Sequence, residues 1–178
     1  MSQAEGHASV APERVTPLAA ASQEPQQYLT FLLAGETFAL SIQSVMEILQ
    51  YIAPTSVPMM PDCIRGVINL RGAVVPVMDL AVRFGKPACE VGRRTCIMIL
   101  EIAADATIHR FGLLADAASE VLEISADAIE PVPEFGVKID SRFVRGLAKV
   151  AGKFVVLLDP DQLFHVEEIG ALAADAAR

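Results

Sequence analysis

Tryptophan is absent from this chain of 178 residues, aromatic residues make up 6% of it, and histidine occurs three times. His7, His109 and His165 stand far apart, with no metal-ligand spacing to one another or to cysteine. Cys63, Cys89 and Cys96 form no C-x-x-C pair and leave an odd thiol. Reduced cysteines in a cytoplasmic protein are therefore expected, in place of a disulfide framework. No apolar run reaches the roughly 18–20 residues that a membrane-spanning helix needs; Arg71, Asp79 and Glu101 interrupt the best candidates. The first residues, MSQAEGHASVAPERV, have neither a basic start nor an apolar run, so no secretory signal is expected. Lysine and arginine total 14 against 22 aspartates and glutamates, a net charge of −8 that argues against a nucleic-acid binder. GVINLRGA lacks the Gly-Lys-Ser/Thr ending of a phosphate loop, and neither G-x-G-x-x-G nor G-x-S-x-G occurs. No catalytic, cofactor-binding or metal-binding residue is assigned, and the chain is expected to work by binding.

Hydrophobic residues make up 53% of the chain and charged residues 20%, so most of it is expected to be globular. Residues 1–27, rich in Ala, Ser, Pro, Gln and Glu without a period, are expected to form a disordered tail. From Tyr28 the texture is one of short strand-like runs broken by turn signals, continuing to Phe164. Residues 165–178 are expected to form a short helix or tail. SIQSVMEILQ is predicted to be a short helical turn running into a strand, and APTSVPMMPD a loop.

The domain from 28 to 164 contains an internal repeat, with a first half at about 28–84 and a second at about 93–164. Shifted by 80 positions, IRGVINLRGAVVPVMD (64–79) falls on VRGLAKVAGKFVVLLD (144–159). Shifted by 73, FALSIQSVMEIL (38–49) falls on FGLLADAASEVL (111–122). Short strands in a repeated unit predict a mainly β fold of two small barrels or sheets sharing one core.

Each half serves as a control for the other. Gly66 and Gly72 have counterparts in Gly146 and Gly152, and Asp79 in Asp159, so the shared fold accounts for them. The glycines suit a tight turn and a close backbone approach, and the aspartates suit caps of short helices. Arg71 meets Ala151 and Asn69 meets Lys149, so the hairpin is buildable without N-L-R. Arg71 is then either a solvated turn residue or a recognition residue whose planar fork suits a carboxylate. Glu47 is its candidate partner, with Arg65 the rival claimant to that carboxylate. Pro76, replaced by Val156, is expected at an edge position because it lacks a donor.

GETFALSIQSVMEIL, the proline loop, IRGVINLRGAVVPVMDL and, further on, FVRGLAKVAGKFVVLLDPDQL resemble the CheW-like family of chemotaxis coupling proteins. The resemblance spans roughly Tyr28 to Phe164. It implies two five-stranded SH3-like β-barrels around a shared core, with short helices. It also implies a non-enzymatic cytoplasmic adaptor that joins chemoreceptor cytoplasmic tips to the histidine kinase CheA, through the kinase's own CheW-like regulatory domain. Further CheW copies are implied as ring partners, with no nucleic acid and no direct membrane insertion. A second reading is a CheW-like adaptor for a non-flagellar chemosensory system controlling surface motility or a second messenger. Carried over by motif, the receptor and kinase coupling surface falls on Val45, Glu47, Gly66, Asn69, Arg71 and Gly72. Cys96 and Ala118 are expected to line the groove from the other barrel. The resemblance also favours pairing of Arg71 with Glu47. A kinase interface is expected at Pro54, Val57 and Val74.

Overall fold

Three hairpins of the chain turn on the same backbone geometry. Ala34–Gly35, Arg71–Gly72 and Ala151–Gly152 have φ values of 51° and 81°, 51° and 87°, and 51° and 80°. Two successive left-handed residues make the turn whose twist matches that of the flanking strands. The computed structural model describes residues 24–104, 106–132 and 139–164. The expected tail up to residue 23 and the expected C-terminal helix of 165–178 lie outside them.

The strands among the described residues are β1 (Gln26–Leu33), β2 (Glu36–Ser41), β3 (Val45–Gln50), β4 (Ile64–Leu70), β5 (Ala73–Asp79), β6 (Cys96–Ala104), β7 (Thr107–Ala115), β8 (Ala117–Ile124), β9 (Ile129–Glu130), β10 (Val144–Val150) and β11 (Lys153–Leu158). Two short helices, α1 (Leu80–Arg83) and α2 (Pro160–Leu163), follow β5 and β11. Asp79 and Asp159 cap them, accepting from the N–H of Ala81 at 3.0 Å and of Asp161 at 3.1 Å. The predicted helical turn before β3 is a 3-10 turn at Ile42–Ser44.

The strands form a five-stranded sheet of order β3-β6-β7-β5-β4 and a six-stranded sheet of order β8-β1-β2-β11-β10-β9. The halves of the repeat therefore do not each close on themselves. Hairpin β1–β2 lies in the sheet of β8 to β11, and hairpin β6–β7 lies in the sheet of β3 to β5. The same exchange is made twice. β5 runs parallel to β7 with Val77 opposite Gly112, and β11 runs parallel to β2 with Leu157 opposite Ala39. These pairs coincide under the sequence shifts of 80 and 73.

Burial explains the exchange. The exchanged hairpins are apolar on both faces, and such strands are stable only when covered on both sides. One face of β6 puts Ile97 and Ile99 inside the first barrel with Ile68, Val75, Val77 and Leu114. Its other face puts Met98 and Leu100 into the shared core. In the second barrel, Tyr28 and Ala39 pack with Ile124, Ala148, Val155 and Leu157. A line of rings, Phe31, Phe38, Phe84 and Phe143, crosses the shared core with centroids 5.9, 5.6 and 5.8 Å apart. Phe111 stacks on Phe164 at 4.1 Å.

The barrels differ at the sixth strand. In the second, β9 pairs with β10 through Glu130 opposite Leu147. In the first, the loop after β3 touches β4 by one bridge, Thr55 opposite Val67. Gly66 permits that approach: at φ 149°, an added Cβ would lie 2.2 Å from the Thr55 carbonyl oxygen. Pro76 is not on an edge strand, since β5 lies between β7 and β4. It is tolerated because the ladder to β7 begins only at Val77, so the missing donor breaks no bond there.

The connector between the halves is held by polar contacts that run from the interior to the surface. The Cys89 N–H donates to Asp79 Oδ2 at 2.9 Å, and its thiol donates to Asp116 Oδ1 at 2.9 Å. Asp116 Oδ2 accepts from the Ala34 N–H at 2.9 Å, which ties the connector to the β1–β2 turn. Burial, reinforced by the Asp116 carboxylate, pushes the Cys89 thiol up to about 12.

Gly66→Ala is expected to lose about 2–4 kcal/mol of stability in chemical unfolding, because Thr55 backbone blocks the new carbon. Cys89 is expected to resist iodoacetamide at pH 8 in the folded protein and to react once the chain is unfolded. Its raised folded value favours the native state at neutral pH, an advantage lost progressively from about pH 9 to 12.

Candidate functional site

Arg71 occupies the first left-handed position of the β4–β5 turn, a conformation that costs an L-residue roughly 1–2 kcal/mol. The Asn69 side chain supports it, its Oδ1 accepting from the Gly72 N–H at 2.8 Å. Ala151 has the same φ in the second barrel, so the turn does not require the guanidinium.

Glu47 reaches the same place from β3. The β3–β6 register slips between Val45 and Glu47. Val45, opposite Leu100, packs on the shared core, whereas Glu47 lies opposite Ile99, which faces the first barrel's interior. β3 and β4 are the two ends of the five-stranded sheet. The link from Glu47 to the β4–β5 turn thus spans the seam where that sheet curls back on itself. Arg71 Nη1 donates to Glu47 Oε1 at 2.6 Å and Nη2 to Oε2 at 3.0 Å, a two-pronged contact. The Arg71 side chain is 67% exposed and that of Glu47 24%. The hydrogen bond to Arg71 lowers the Glu47 carboxyl from its ordinary value and raises Arg71.

Arg65, the other claimant to Glu47, is committed elsewhere. Its Nη1 donates to Asp79 Oδ2 at 2.9 Å, and Asp79 is fully buried. Arg65 belongs to the structural frame and Arg71 to the surface.

The remaining predicted residues divide by position. Gly66 and Gly72 shape the backbone on either side of Asn69. Val45 on β3 and Ala118 on β8 are equivalent in the repeat, and both are half-buried against the shared core. Cys96 does not come from the other barrel: it lies on β6, opposite Gln50 of β3, in the same sheet as Glu47. The exchange of hairpins carries it there. Its buried sulfur still faces the Ala118 backbone, and burial raises its thiol despite that contact. Pro54 and Val57 flank the Thr55 bridge half-buried, and Val74 stands 61% exposed on β5 opposite Asn69.

Sequence reasoning missed a third ion pair in this sheet, Arg110 Nε to Glu101 Oε2 at 3.1 Å. Arg110 also contributes to lowering Glu47. Comparing hairpin β6–β7 with β1–β2 would have flagged it, because Leu32 and Thr37 hold the equivalent places. The assembled site offers a fixed carboxylate, an outward guanidinium and an apolar flank. Those are the means of recognising a protein surface.

A family profile for the CheW-like domain matches residues 27–168. The chain is 33% identical over 153 residues to the chemotaxis protein CheW of Klebsiella aerogenes, covering 86% of this chain and 89% of that one. It is 32% identical over 143 residues to the chemotaxis protein CheW of Rhizobium meliloti, covering 80% and 90%. The crystal structure of the scaffolding protein TtCheW from Thermoanaerobacter tengcongensis superposes with a TM-score of 0.72 at 36% identity, over 81% of this chain and 90% of that one. Among the described residues, no helix is long and apolar enough to cross a membrane.

Arg65→Ala is expected to cost about 1–3 kcal/mol in chemical unfolding, since it strips a charged partner from the buried Asp79.

Proposed function

The chain belongs to the CheW-like domain family of non-enzymatic chemotaxis scaffolds, and from that premise we propose that it couples chemoreceptor cytoplasmic tips to the histidine kinase CheA. In this reading it works in the cytoplasm, recruited to membrane-associated receptor arrays, and controls the kinase by holding it in register with the receptors. The observation that carries the reading is the Glu47–Arg71 pair at the barrel seam.

The pair suits the task for three physical reasons. Its arginine is exposed, so the pair adds little to folding and presents a charge to a partner. Its geometry is fixed in advance, by the β3 ladder on one side and by the Asn69-supported turn on the other. Fixing a side chain before binding reduces the ordering cost of the complex. Arg71 also uses only part of its fork on Glu47, and its side chain is 67% exposed. Val45, with Cys96 and Ala118 behind it, supplies the apolar flank against which a receptor hairpin tip would pack. Pro54 and Val57, beside Thr55, and the exposed Val74 on β5 are assigned to the kinase's CheW-like domain. Further CheW copies would use the same surfaces in rings.

Arg71→Ala is expected to unfold at nearly the parent temperature, since Ala151 occupies the same turn position. In arrays reconstituted from receptor, kinase and this protein it should lower kinase activation by roughly tenfold, the loss typical of an interface arginine. Adding Ala151→Arg should restore nothing. Full activation by the folded single variant would refute the reading.

A further inference from the structure

The ion pair Glu101–Arg110 stands on the same face of the first sheet as Glu47. Glu47 lies opposite Ile99, Glu101 follows Ile99 by two residues on β6, and Arg110 lies opposite Glu101 on β7. Alternation along a strand puts all of them on the side of Ile99, which packs inside the first barrel. The interior stripe of β6, Ile97 and Ile99, thus turns charged at Glu101, and the four charges gather at the barrel mouth.

The second barrel builds the same architecture without them. Leu32 opposite Thr37 replaces Glu101 opposite Arg110, and Ala151 replaces Arg71. Only Glu120 keeps its place, and there Thr30 fills the position of Ile99. The Thr30 hydroxyl donates to the Glu120 carbonyl at 2.8 Å and accepts from its N–H at 3.1 Å. A hairpin that folds with Leu32 and Thr37 does not need Glu101 and Arg110, which are therefore marked by the same asymmetry as Arg71.

Resting on the reading of Glu47 and Arg71 as the coupling pair, we propose that Arg110 is a positioning residue of that site. It is the cation that holds Glu47 in place when Arg71 turns its fork toward an aspartate or glutamate of the partner protein. Without it, that turn would leave Glu47, three-quarters shielded, beside a second carboxylate and with no counter-charge. Glu101 keeps Arg110 at its station in the free protein through the 3.1 Å bond. The arrangement fits an acidic partner residue, since Arg71 is the charge presented outward, 67% exposed against 24% for Glu47.

The test follows the Glu47 carboxyl carbon by NMR titration in the full chain. The parent, Arg71→Ala, Arg110→Gln and the double variant are compared. The carboxyl should titrate below its ordinary value in the parent, rise in Arg71→Ala as burial outweighs the remaining cation, and rise further in the double variant. Identical titration of Arg71→Ala and the double variant would show that Arg110 does not reach Glu47, and would overturn the proposal. In reconstituted arrays, Arg110→Gln should lower kinase activation by about threefold or more with its unfolding midpoint unchanged, and Arg110→Lys should restore most of it. Parent-level activation by Arg110→Gln overturns the positioning role. Full activation by Arg71→Ala, with the titration as expected, would instead remove the coupling reading while leaving the Arg110–Glu47 contact established.

Discussion

The parallel contact of β5 with β7, made again between β11 and β2, is the constraint on which the rest of the molecule depends. Each contact brings a hairpin from one half of the chain into the barrel of the other. The shared core follows from it, because a hairpin apolar on both faces must fill a barrel with one and the space between the barrels with the other. The site follows as well. Glu47 comes from the first half, yet its neighbours on β6 and β7 come from the second.

The barrel mouth separates stability from recognition. Arg65 is bound into a buried network with Asp79 and Cys89, where removal of a partner is costly. Arg71, six residues on, makes an exposed contact of better geometry and smaller consequence for folding. The difference lies in solvent access and not in residue type. A two-pronged pair in water contributes little net energy but fixes direction, and direction is what an adaptor contributes to an assembly.

Much of the local structure was legible in the sequence. The paired glycines marked the hairpins, the paired aspartates marked the capped turns, and the repeat marked the shared core. The missing counterpart of Arg71 singled out the residue that bridges the seam. The exchange of hairpins was not legible, because a shift of 80 or 73 shows which segments are alike and says nothing of which neighbours they take. Cys96 was therefore placed in the wrong barrel. Pro76 was expected on an edge because its missing donor was visible, whereas the point at which the β7 ladder begins was not. Glu101 and Arg110 escaped because their counterparts, Leu32 and Thr37, lie outside the two aligned blocks. The rival claims of Arg65 and Arg71 on Glu47 needed coordinates, since burial of Asp79 decides them.

The exchanged hairpins also govern how the chain is made. As it leaves the ribosome, β1 and β2 emerge first, yet the strands that pair with them, β8 and β11, both come from the second half. The stretch from β3 to α1 likewise waits for β6 and β7. Neither half buries its apolar faces until nearly the whole domain is available, so folding is dominated by contacts distant in sequence and is expected to be slow for its size. The nascent first half presents uncovered sheet faces throughout that interval, the condition in which chains associate wrongly. A geometry that makes the finished scaffold one indivisible body makes its unfinished form a client for chaperones.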